Sequence, residues 1–229
     1  MSNLPGILYV VSLPIGNASD ISTRAREVLS GVNIIAAEDT RKAREWFQRT
    51  GIRTEARILA SHSHNENNSA KGLLPLLHNG ENIALVSDAG TPRISDPGYT
   101  LVKTAHAEGI VVIPIPGACA LTTLVSVSPL PVEPLLFLGF ISPKSGTRLN
   151  TLARYNDFEG SVVLYESVHR IEKLLAALKT SWGNCEVFIG REMTKTHEEY
   201  FFGNLETALS WVPGKKGEFA ICVFKKRLM

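Results

Sequence analysis

Short apolar runs rich in valine and isoleucine alternate with helix-period segments through the first half of this chain, and that alternation constrains its fold most. The pattern is typical of βαβ units, in which successive strands run parallel in one sheet. The predicted strands cover residues 7–12, 32–36, 57–61, 83–87 and 110–115. The first half therefore predicts an α/β lobe built on a mainly parallel sheet.

Helix signals separate these strands. Asp20 is placed to cap a helix that Gly31 ends, and Asp96 followed by proline marks another helix start. A further helix, over residues 66–79, contains Pro75 and should kink there. The strands are thus connected by helices, as a parallel sheet requires.

A proline-rich stretch, SPLPVEP at residues 128–134, separates this half from a second one. It predicts an N-terminal lobe over residues 1–127, a linker over 128–133 and a C-terminal lobe over 134–229. In the second lobe the predicted strands are 135–140, 161–165, 186–191, 198–202 and 218–224, and the predicted helices are 146–158, 168–182 and 205–212. The turn at 193–196 joins two successive strands as a hairpin, so we expect a mixed sheet there.

Composition narrows the class of protein. Hydrophobic residues make up 44% of the 229 residues, which is ample for a core. The longest apolar runs are far shorter than the ~20 residues that cross a bilayer. The chain opens on a strand-like run without a basic, cleavable leader, and its three cysteines lie far apart in apolar sequence. We expect a soluble, cytoplasmic α/β enzyme with reduced thiols.

Four turns that follow predicted strands are unusually rich in small and polar residues. They cover residues 12–17, 36–42, 84–98 and 113–123. Ligands of α/β sheets collect beyond the carboxyl ends of strands, and small residues let backbone groups approach a flat ligand. Asp88 is placed to fix the polar edge of such a ligand, whereas Asp96 is better suited to capping a helix. The sequence has no G-x-G-x-x-G after the first strand. Composition and spacing therefore indicate an α/β enzyme with a backbone-lined ligand site, but they do not identify the ligand or the reaction.

Two clusters of polar residues have both a functional and an ordinary interpretation. The segment from Arg41 to Arg57 contains six basic residues and only two glutamates. This excess of positive charge is typical of a phosphate-binding surface or of a solvated helix face. His62 and His64 share a strand face as metal ligands do, but no third ligand lies near them, so we predict no metal. Residues 165–169 are interpreted as opening a helix, with Glu166 either catalytic or favourably placed at a helix N-terminus.

Eight sequence blocks, in order, cover essentially the whole chain: LPIGNASDISTRAREVL, IIAAEDTRK, SHSHNEN, ALVSDAGTPRISDPG, IPIPGACA, LYESVHRI, REMTKTHEE and KGEFAICV. Together they closely resemble the ribosomal RNA small subunit methyltransferase I family of the tetrapyrrole methylase-like class (class III S-adenosylmethionine methyltransferases). The resemblance implies two α/β lobes with S-adenosylmethionine in the cleft between them, 2'-O-methylation of a decoding-region cytidine in 16S rRNA, and a homodimer. Members of that family usually extend beyond the final strand into a small helical domain.

The resemblance also implies roles for individual residues. The cofactor is expected to contact Pro14, Ser87, Asp88, Gly90, Pro116, Gly117, Ala118, Tyr165, Arg191 and Glu218. Catalytic candidates are Glu38, Asp39, Arg41 and Glu166, without a choice of general base among them. RNA-binding candidates are Arg41, Lys42, Arg44, Arg49, Arg53, His64 and Lys195, and Thr40, Asn65 and Glu66 are further acceptor-side candidates.

Three other functions compete with rRNA methylation. The first is methylation of a tetrapyrrole of the precorrin type, against which the basic residues and the block-by-block match both argue. The second is a nucleotide hydrolase in which Asp88 and Asp96 hold magnesium. The third is a non-catalytic RNA-binding module. Binding of S-adenosylhomocysteine in the presence of a chelator separates methyl transfer from the last two.

Overall fold

The structure, a computed structural model, describes residues 4–62 and 66–225. Its contacts divide the chain between Cys119 and Ala120 into two compact units, here called the first and second unit. The proline-rich stretch at 128–134 lies inside the second unit, so the predicted lobe boundary and linker stay predictions. His64 and Asn65, two acceptor-side candidates, lie outside the described residues.

The first unit is built on a sheet of five parallel strands. They are β1 (Leu8–Val11), β2 (Ile34–Ala37), β3 (Arg57–Ala60), β4 (Ile83–Val86) and β5 (Val112–Ile115). Their order is β3-β2-β4-β1-β5, and every pairing is parallel. The prediction of a mainly parallel N-terminal sheet is confirmed, and each predicted strand is found within one or two residues of its expected bounds.

Four α-helices connect these strands and cover both faces of the sheet. They are α1 (Thr23–Gly31), α2 (Thr40–Thr50), α3 (Glu66–His78) and α4 (Tyr99–Ala107). Side chains alternate along each strand, so Ile35 of β2 packs with Leu29 and Trp46 from α1 and α2, whereas Ile34 packs with Leu77 on the opposite face. Burial on both faces explains why the strands are almost wholly apolar.

Two predicted helix starts in this unit are wrong. Asp20 ends a short 3-10 turn (Ala18–Asp20), and the hydroxyl of Ser22 caps α1 instead by accepting from the backbone N–H of Ala25 at 3.1 Å. Asp96 does not cap α4 either, because that helix begins three residues later, at Tyr99. Serine and aspartate cap helices about equally well, so the sequence alone did not choose between Asp20 and Ser22.

The second unit is built on a mixed sheet. Its strands are β6 (Leu135–Gly139), β7 (Gly160–Ser167), β8 (Glu186–Arg191), β9 (Glu199–Asn204) and β10 (Glu218–Lys225). In the order β6-β7-β10-β8-β9, only β6 and β7 are parallel, and β8 and β9 form the predicted hairpin. The prediction of a mixed C-terminal sheet is confirmed.

Helices α6 (Ser145–Ala153), α7 (Ile171–Trp182) and α8 (Leu205–Trp211) pack on one face of this sheet, and a short helix, α5 (Ala120–Ser126), contacts β10. Helix α6 ends five residues earlier than predicted. Tyr155 and Phe158 there bond to carbonyl groups three residues back, as in turns. All three cysteines are free thiols.

Candidate active site

The turns that follow β1, β4 and β5 are fastened together at the carboxyl edge of the first sheet. Leu13 and Gly90 exchange backbone hydrogen bonds of 2.8 and 3.0 Å. The hydroxyl of Thr91 donates to the carbonyl of Ala118 at 3.0 Å, so the hydroxyl of Ser12, 2.9 Å from Thr91 Oγ1, is the donor in that pair. Three of the four predicted ligand turns therefore meet, and they present mainly backbone and small side chains.

Two glycines leave this backbone bare. A Cβ on Gly117 would lie 2.9 Å from the Cβ of Ser12, closer than real Cβ atoms approach. Gly90 has a φ of +75°, and a Cβ there would lie 3.2 Å from Cγ2 of Ile15. Both positions are part of the predicted cofactor site. Glycine at both positions therefore lets these turns pack closely on one another without a side chain between them.

The turns after β2 and β4 are joined through Asp88. Its Oδ1 accepts from the backbone N–H of Asp39 at 3.2 Å, and its Oδ2 accepts from Lys42 Nζ at 2.7 Å. The backbone N–H of Asp88 in turn donates to the carboxylate of Glu38. Both oxygens of Asp88 are thus engaged within the protein. Its role in fixing the cofactor stays a prediction.

Glu66 takes the place at the start of α4 that was predicted for Asp96. Its Oε1 accepts from the backbone N–H groups of Gly98 and Thr100 at 2.7 and 3.0 Å. Glu66 was a candidate for contacting the acceptor, and in the structure it caps a helix from 32 residues away. No local sequence signal reveals a cap supplied from so far along the chain.

Two carboxyl groups at this edge have raised pKa values. Burial raises the pKa of Asp96 to about 7, and the charges of Glu38 and Asp88 add to the effect, while a hydrogen bond with Ser87 opposes it. Burial, followed by the charge of Asp88, also raises the pKa of Glu38. With its raised pKa, Asp96 is a stronger base than an ordinary aspartate. Sequence reasoning missed this because an aspartate before proline is typical of a helix cap.

Asp39 and Arg41, both catalytic candidates, bind each other at the start of α2. Asp39 caps the helix by accepting from the backbone N–H of Arg41 at 2.8 Å, and the Arg41 guanidinium lies 3.1 Å from its other oxygen. The side-chain hydrogen bond from Arg41 lowers the pKa of Asp39 to about 2. A carboxylate with so low a pKa is a weak base. Capping, one of the two roles weighed for Asp39, is therefore observed.

The six basic residues between Arg41 and Arg57 fall into two groups. Three form ion pairs: Arg41 with Asp39, Lys42 with Asp88 at 2.7 Å, and Arg57 with Glu81 at 2.8 Å. Arg44, Arg49 and Arg53 are exposed, and no ion pair involving them occurs in the described part of the chain. Within this cluster, the side chains open to phosphate groups are therefore these three arginines.

The predicted site residues of the second unit lie near one end of its sheet. Tyr165 and Glu166 belong to β7, so the predicted strand over 161–165 is correct for Tyr165. The interpretation of residues 165–169 as opening a helix is wrong, because α7 begins only at Ile171. The Tyr165 ring packs edge-on against Phe137, with ring centroids 5.1 Å apart. Glu166 is buried, its Oε1 pairs with Arg170 at 2.7 Å, and its Oε2 has no partner among the described residues.

Arg191, Lys195 and Glu218 hold the β8–β9 hairpin turn. Arg191 bonds to the carbonyl of Lys216 at 2.6 Å and pairs with Glu199 at 2.9 Å. Lys195 Nζ lies 2.8 Å from a carboxylate oxygen of Glu218. These side chains are occupied by contacts within the unit. Their proposed contacts with cofactor or RNA stay predictions.

The structure thus brings one group of predicted residues together in each unit. In the first unit the contacts described above involve Glu38, Asp39, Ser87, Asp88, Gly90, Gly117 and Ala118, and Pro14 and Pro116 adjoin these turns in sequence. In the second unit they are Tyr165, Glu166, Arg191, Lys195 and Glu218. In residues 4–62 and 66–225, no group of three histidine, cysteine, aspartate or glutamate side chains is arranged to hold a metal ion. No helix within those ranges is long and apolar enough to cross a membrane.

Comparison with known proteins defines the class. The family model for Tetrapyrrole (Corrin/Porphyrin) Methylases matches residues 7–209. The methyltransferase CobJ has the same fold, with a TM-score of 0.72 over 98% of this chain and 97% of that one at 14% identity. The uroporphyrin-III C-methyltransferase of Thermus thermophilus, complexed with S-adenyl homocysteine, superposes with a TM-score of 0.63 at 15% identity, covering 95% of this chain and 97% of that one.

A much closer relative identifies the group within that class. The ribosomal RNA small subunit methyltransferase I of Leptospira biflexa is 42% identical over 215 residues, covering 93% of this chain and 89% of its own length. This chain therefore belongs to the tetrapyrrole methylase family and, within it, to the ribosomal RNA small subunit methyltransferase I group. It is a methyltransferase, as its sequence blocks predict.

Proposed function

We propose that this methyltransferase transfers a methyl group from S-adenosylmethionine to the 2'-oxygen of a cytidine ribose in the decoding region of 16S rRNA. The name of the Leptospira relative supports the substrate class. One structural observation carries the proposal: helix α2, with its exposed arginines, begins in the turn that Asp88 fastens to the candidate site. RNA that lies along α2 therefore reaches the carboxyl edge of the sheet.

S-adenosylmethionine is the methyl donor. It supplies a methyl group that its sulfonium already activates, so the protein has to position the acceptor oxygen and remove its proton. Gly90 and Gly117 keep the joined turns of the first unit free of side chains at these two positions, which supports a cofactor held there by backbone groups. On this proposal the contacts in the first unit come from Pro14, Ser87, Asp88, Gly90, Pro116, Gly117 and Ala118.

The proposed binding of the RNA acceptor depends on exposed positive charge. Arg44, Arg49 and Arg53 are exposed and lack carboxylate partners among the described residues, so their guanidinium groups are available to phosphates. Sequence-specific RNA recognition uses exposed nucleotides held in a defined shape, which favours an assembled small subunit or a folded rRNA fragment as substrate. We propose that these arginines hold the backbone that flanks the target nucleotide.

Asp96 is our candidate for the group that accepts the ribose proton. Its pKa of about 7 suits a general base at neutral pH. Glu38 contributes because its negative charge is one cause of the raised pKa of Asp96. Asp39 is a poorer candidate because Arg41 holds its pKa at about 2.

The family resemblance extends the proposal to the whole molecule. We place the enzyme in the cytoplasm, where small ribosomal subunits assemble, and we expect it to act as a homodimer. Both expectations rest on the resemblance to the rRNA methyltransferases.

The decisive experiment is transfer of a tritiated methyl group to small subunits that lack the ribose mark, followed by nuclease mapping of the label. We expect label on one cytidine ribose of 16S rRNA in the decoding region. Label on a base or on protein would overturn the proposal. Recovery of the label in an alkali-resistant dinucleotide distinguishes ribose from base methylation, because a methyl group on the 2'-oxygen blocks alkaline cleavage of the adjacent phosphodiester bond.

A further inference from the structure

Tyr99, the first residue of α4, presents an aromatic ring to solvent beside two cations. The residue is 57% exposed. The guanidinium carbon of Arg93 lies 5.8 Å from the ring centroid, and Lys103 Nζ lies 5.6 Å from it. These distances are within the ~6 Å over which a cation is attracted to an aromatic ring. The three side chains therefore form one surface, here called the Tyr99 patch.

The backbone beneath the Tyr99 patch is tightly fixed. Gly98 has a φ of +121°, and a Cβ there would lie 2.7 Å from Cδ2 of the buried Leu85. Glu66 Oε1 accepts from the N–H groups on both sides of Tyr99. Arg93 itself has a φ of +73°, which is unfavourable for a residue with a side chain and marks a conformation imposed by its surroundings. The ring and the guanidinium are thus presented on a preorganised frame.

The two cations of the patch have no carboxylate partner in the part of the chain that the structure describes, which leaves them available to phosphate groups. No ion pair in the described ranges involves Arg93 or Lys103, and the nearby carboxylate oxygen of Glu66 is occupied by two backbone N–H groups. The exposed Tyr200, by contrast, is covered by a second ring, because it stacks on Phe188 with centroids 5.8 Å apart. Tyr99 contacts no second ring among the described residues.

We propose that the Tyr99 patch binds an unstacked nucleobase of single-stranded RNA on the Tyr99 ring, with Arg93 and Lys103 contacting the adjoining phosphates. Such platforms combine an aromatic face for the base with cations that follow the backbone. Arg93 lies in the loop that carries Ser87 and Asp96, and Tyr99 follows that loop, so the patch belongs to the same stretch of chain as the candidate site. This inference rests on the proposed function and specifies how the RNA is held.

Binding of a fluorescein-labelled, cytidine-rich single-stranded RNA of about 12 nucleotides, a length that suits such platforms, tests the proposal by anisotropy. Tyr99→Ala should weaken binding roughly 5- to 150-fold, the effect of removing one base–aromatic stack. Tyr99→Phe keeps the stacking face and should bind within about twofold of the original chain. Phe202→Ala, at a residue 52% exposed in the second unit, is the matched control and should leave affinity unchanged.

Photocrosslinking of the same RNA carrying 5-iodouridine locates the contact directly. Trypsin cuts after Arg93 and Lys103, so a base stacked on Tyr99 should appear on the peptide of residues 94–103. Unchanged affinity in folded Tyr99→Ala, crosslinks confined to other peptides, or a change in self-association without a change in RNA affinity would each overturn the inference. If one of these contradicting results is obtained while the unmodified chain still methylates small subunits, only the proposal for the Tyr99 patch fails. Absence of that methylation is instead a failure of the proposed function.

Discussion

Gly117 stands where the chain has room for a hydrogen atom and nothing larger. A methyl group there would meet Ser12, whose carbonyl and Cβ lie 3.2 and 2.9 Å away. We expect Gly117→Ala to lower the free energy of unfolding by about 1–3 kcal/mol, the usual cost of overpacking. Because the turn must shift, affinity for S-adenosylhomocysteine should fall as well. Urea denaturation and titration calorimetry measure the two effects.

Gly72→Ala is the control for that variant. Gly72 lies inside α3 with no heavy atom within 4 Å of an added Cβ. Alanine loses less chain entropy than glycine when a helix forms, so this variant should be about 0.5–1 kcal/mol more stable and should bind the cofactor product normally. If the two variants have the same unfolding free energy and the same affinity for S-adenosylhomocysteine, close packing against Ser12 does not require glycine at position 117.

Asp96 links the stability of the fold to pH. Its pKa in the folded chain, about 7, lies above the ordinary value of 3.8. The stability that goes with the protonated group is therefore fully present below about pH 4 and is lost as pH rises through 7. Asp96→Asn removes this loss. The difference in unfolding free energy between the variant and the original chain should therefore grow in favour of the variant from pH 5 to pH 8. We expect a change of about 1–2 kcal/mol after allowance for solvent screening.

The same variant tests the proposed chemistry. If Asp96 accepts the ribose proton, Asp96→Asn should lower kcat for methyl transfer by roughly 10²–10⁴-fold while affinity for S-adenosylhomocysteine is kept. In the original chain the rate should rise with pH through about 7. If Asp96→Asn is more stable at pH 8 yet fully active, the raised pKa of Asp96 is supported but Asp96 has no part in catalysis.

At the scale of elements, α2 connects the candidate site to the basic surface. Reversing charge at Arg44 and Arg49 should flatten the dependence of RNA affinity on salt, by about 0.7 in log–log slope for each phosphate that is no longer bound. Methyl transfer to RNA should slow while cofactor affinity is unchanged. Reversal at Lys144 and Lys173, two exposed lysines of the second unit, is the matched control. An unchanged slope in the α2 variant would return these arginines to the role of a solvated helix face.

The elements also show which structural features were predictable from the sequence. Patterns of apolar residues located the strands and the parallel sheet, because burial on both faces leaves a continuous apolar run. The sequence ended β7 at Tyr165 and misplaced Glu166, because the strand continues to Ser167 and a buried glutamate in a strand has no periodic signature. The Glu66 cap on α4 and the raised pKa of Asp96 both depend on residues distant in sequence. Motif resemblance supplied the family, whereas these contacts required the fold.

For the whole molecule, the expected homodimer gives a direct test. Sedimentation equilibrium should yield twice the mass of one chain at micromolar concentration. Self-association should persist in the Arg44 and Arg49 double variant, because those residues are assigned to RNA and not to a partner subunit. A monomer that still methylates small subunits would remove the dimer from the proposal and leave the chemistry intact.

The strand order of the first sheet has a consequence for biosynthesis. Strand β1 is made first, yet its hydrogen-bonding neighbours are β4 and β5, which end at Val86 and Ile115. At ~5–20 residues per second, the ribosome needs roughly 4–20 s between finishing β1 and finishing those partners. An apolar segment with both edges unpaired must stay soluble for that interval, and contacts of such long sequence separation form slowly. The nascent chain is therefore most exposed to aggregation, and most dependent on chaperones, before β5 leaves the ribosome.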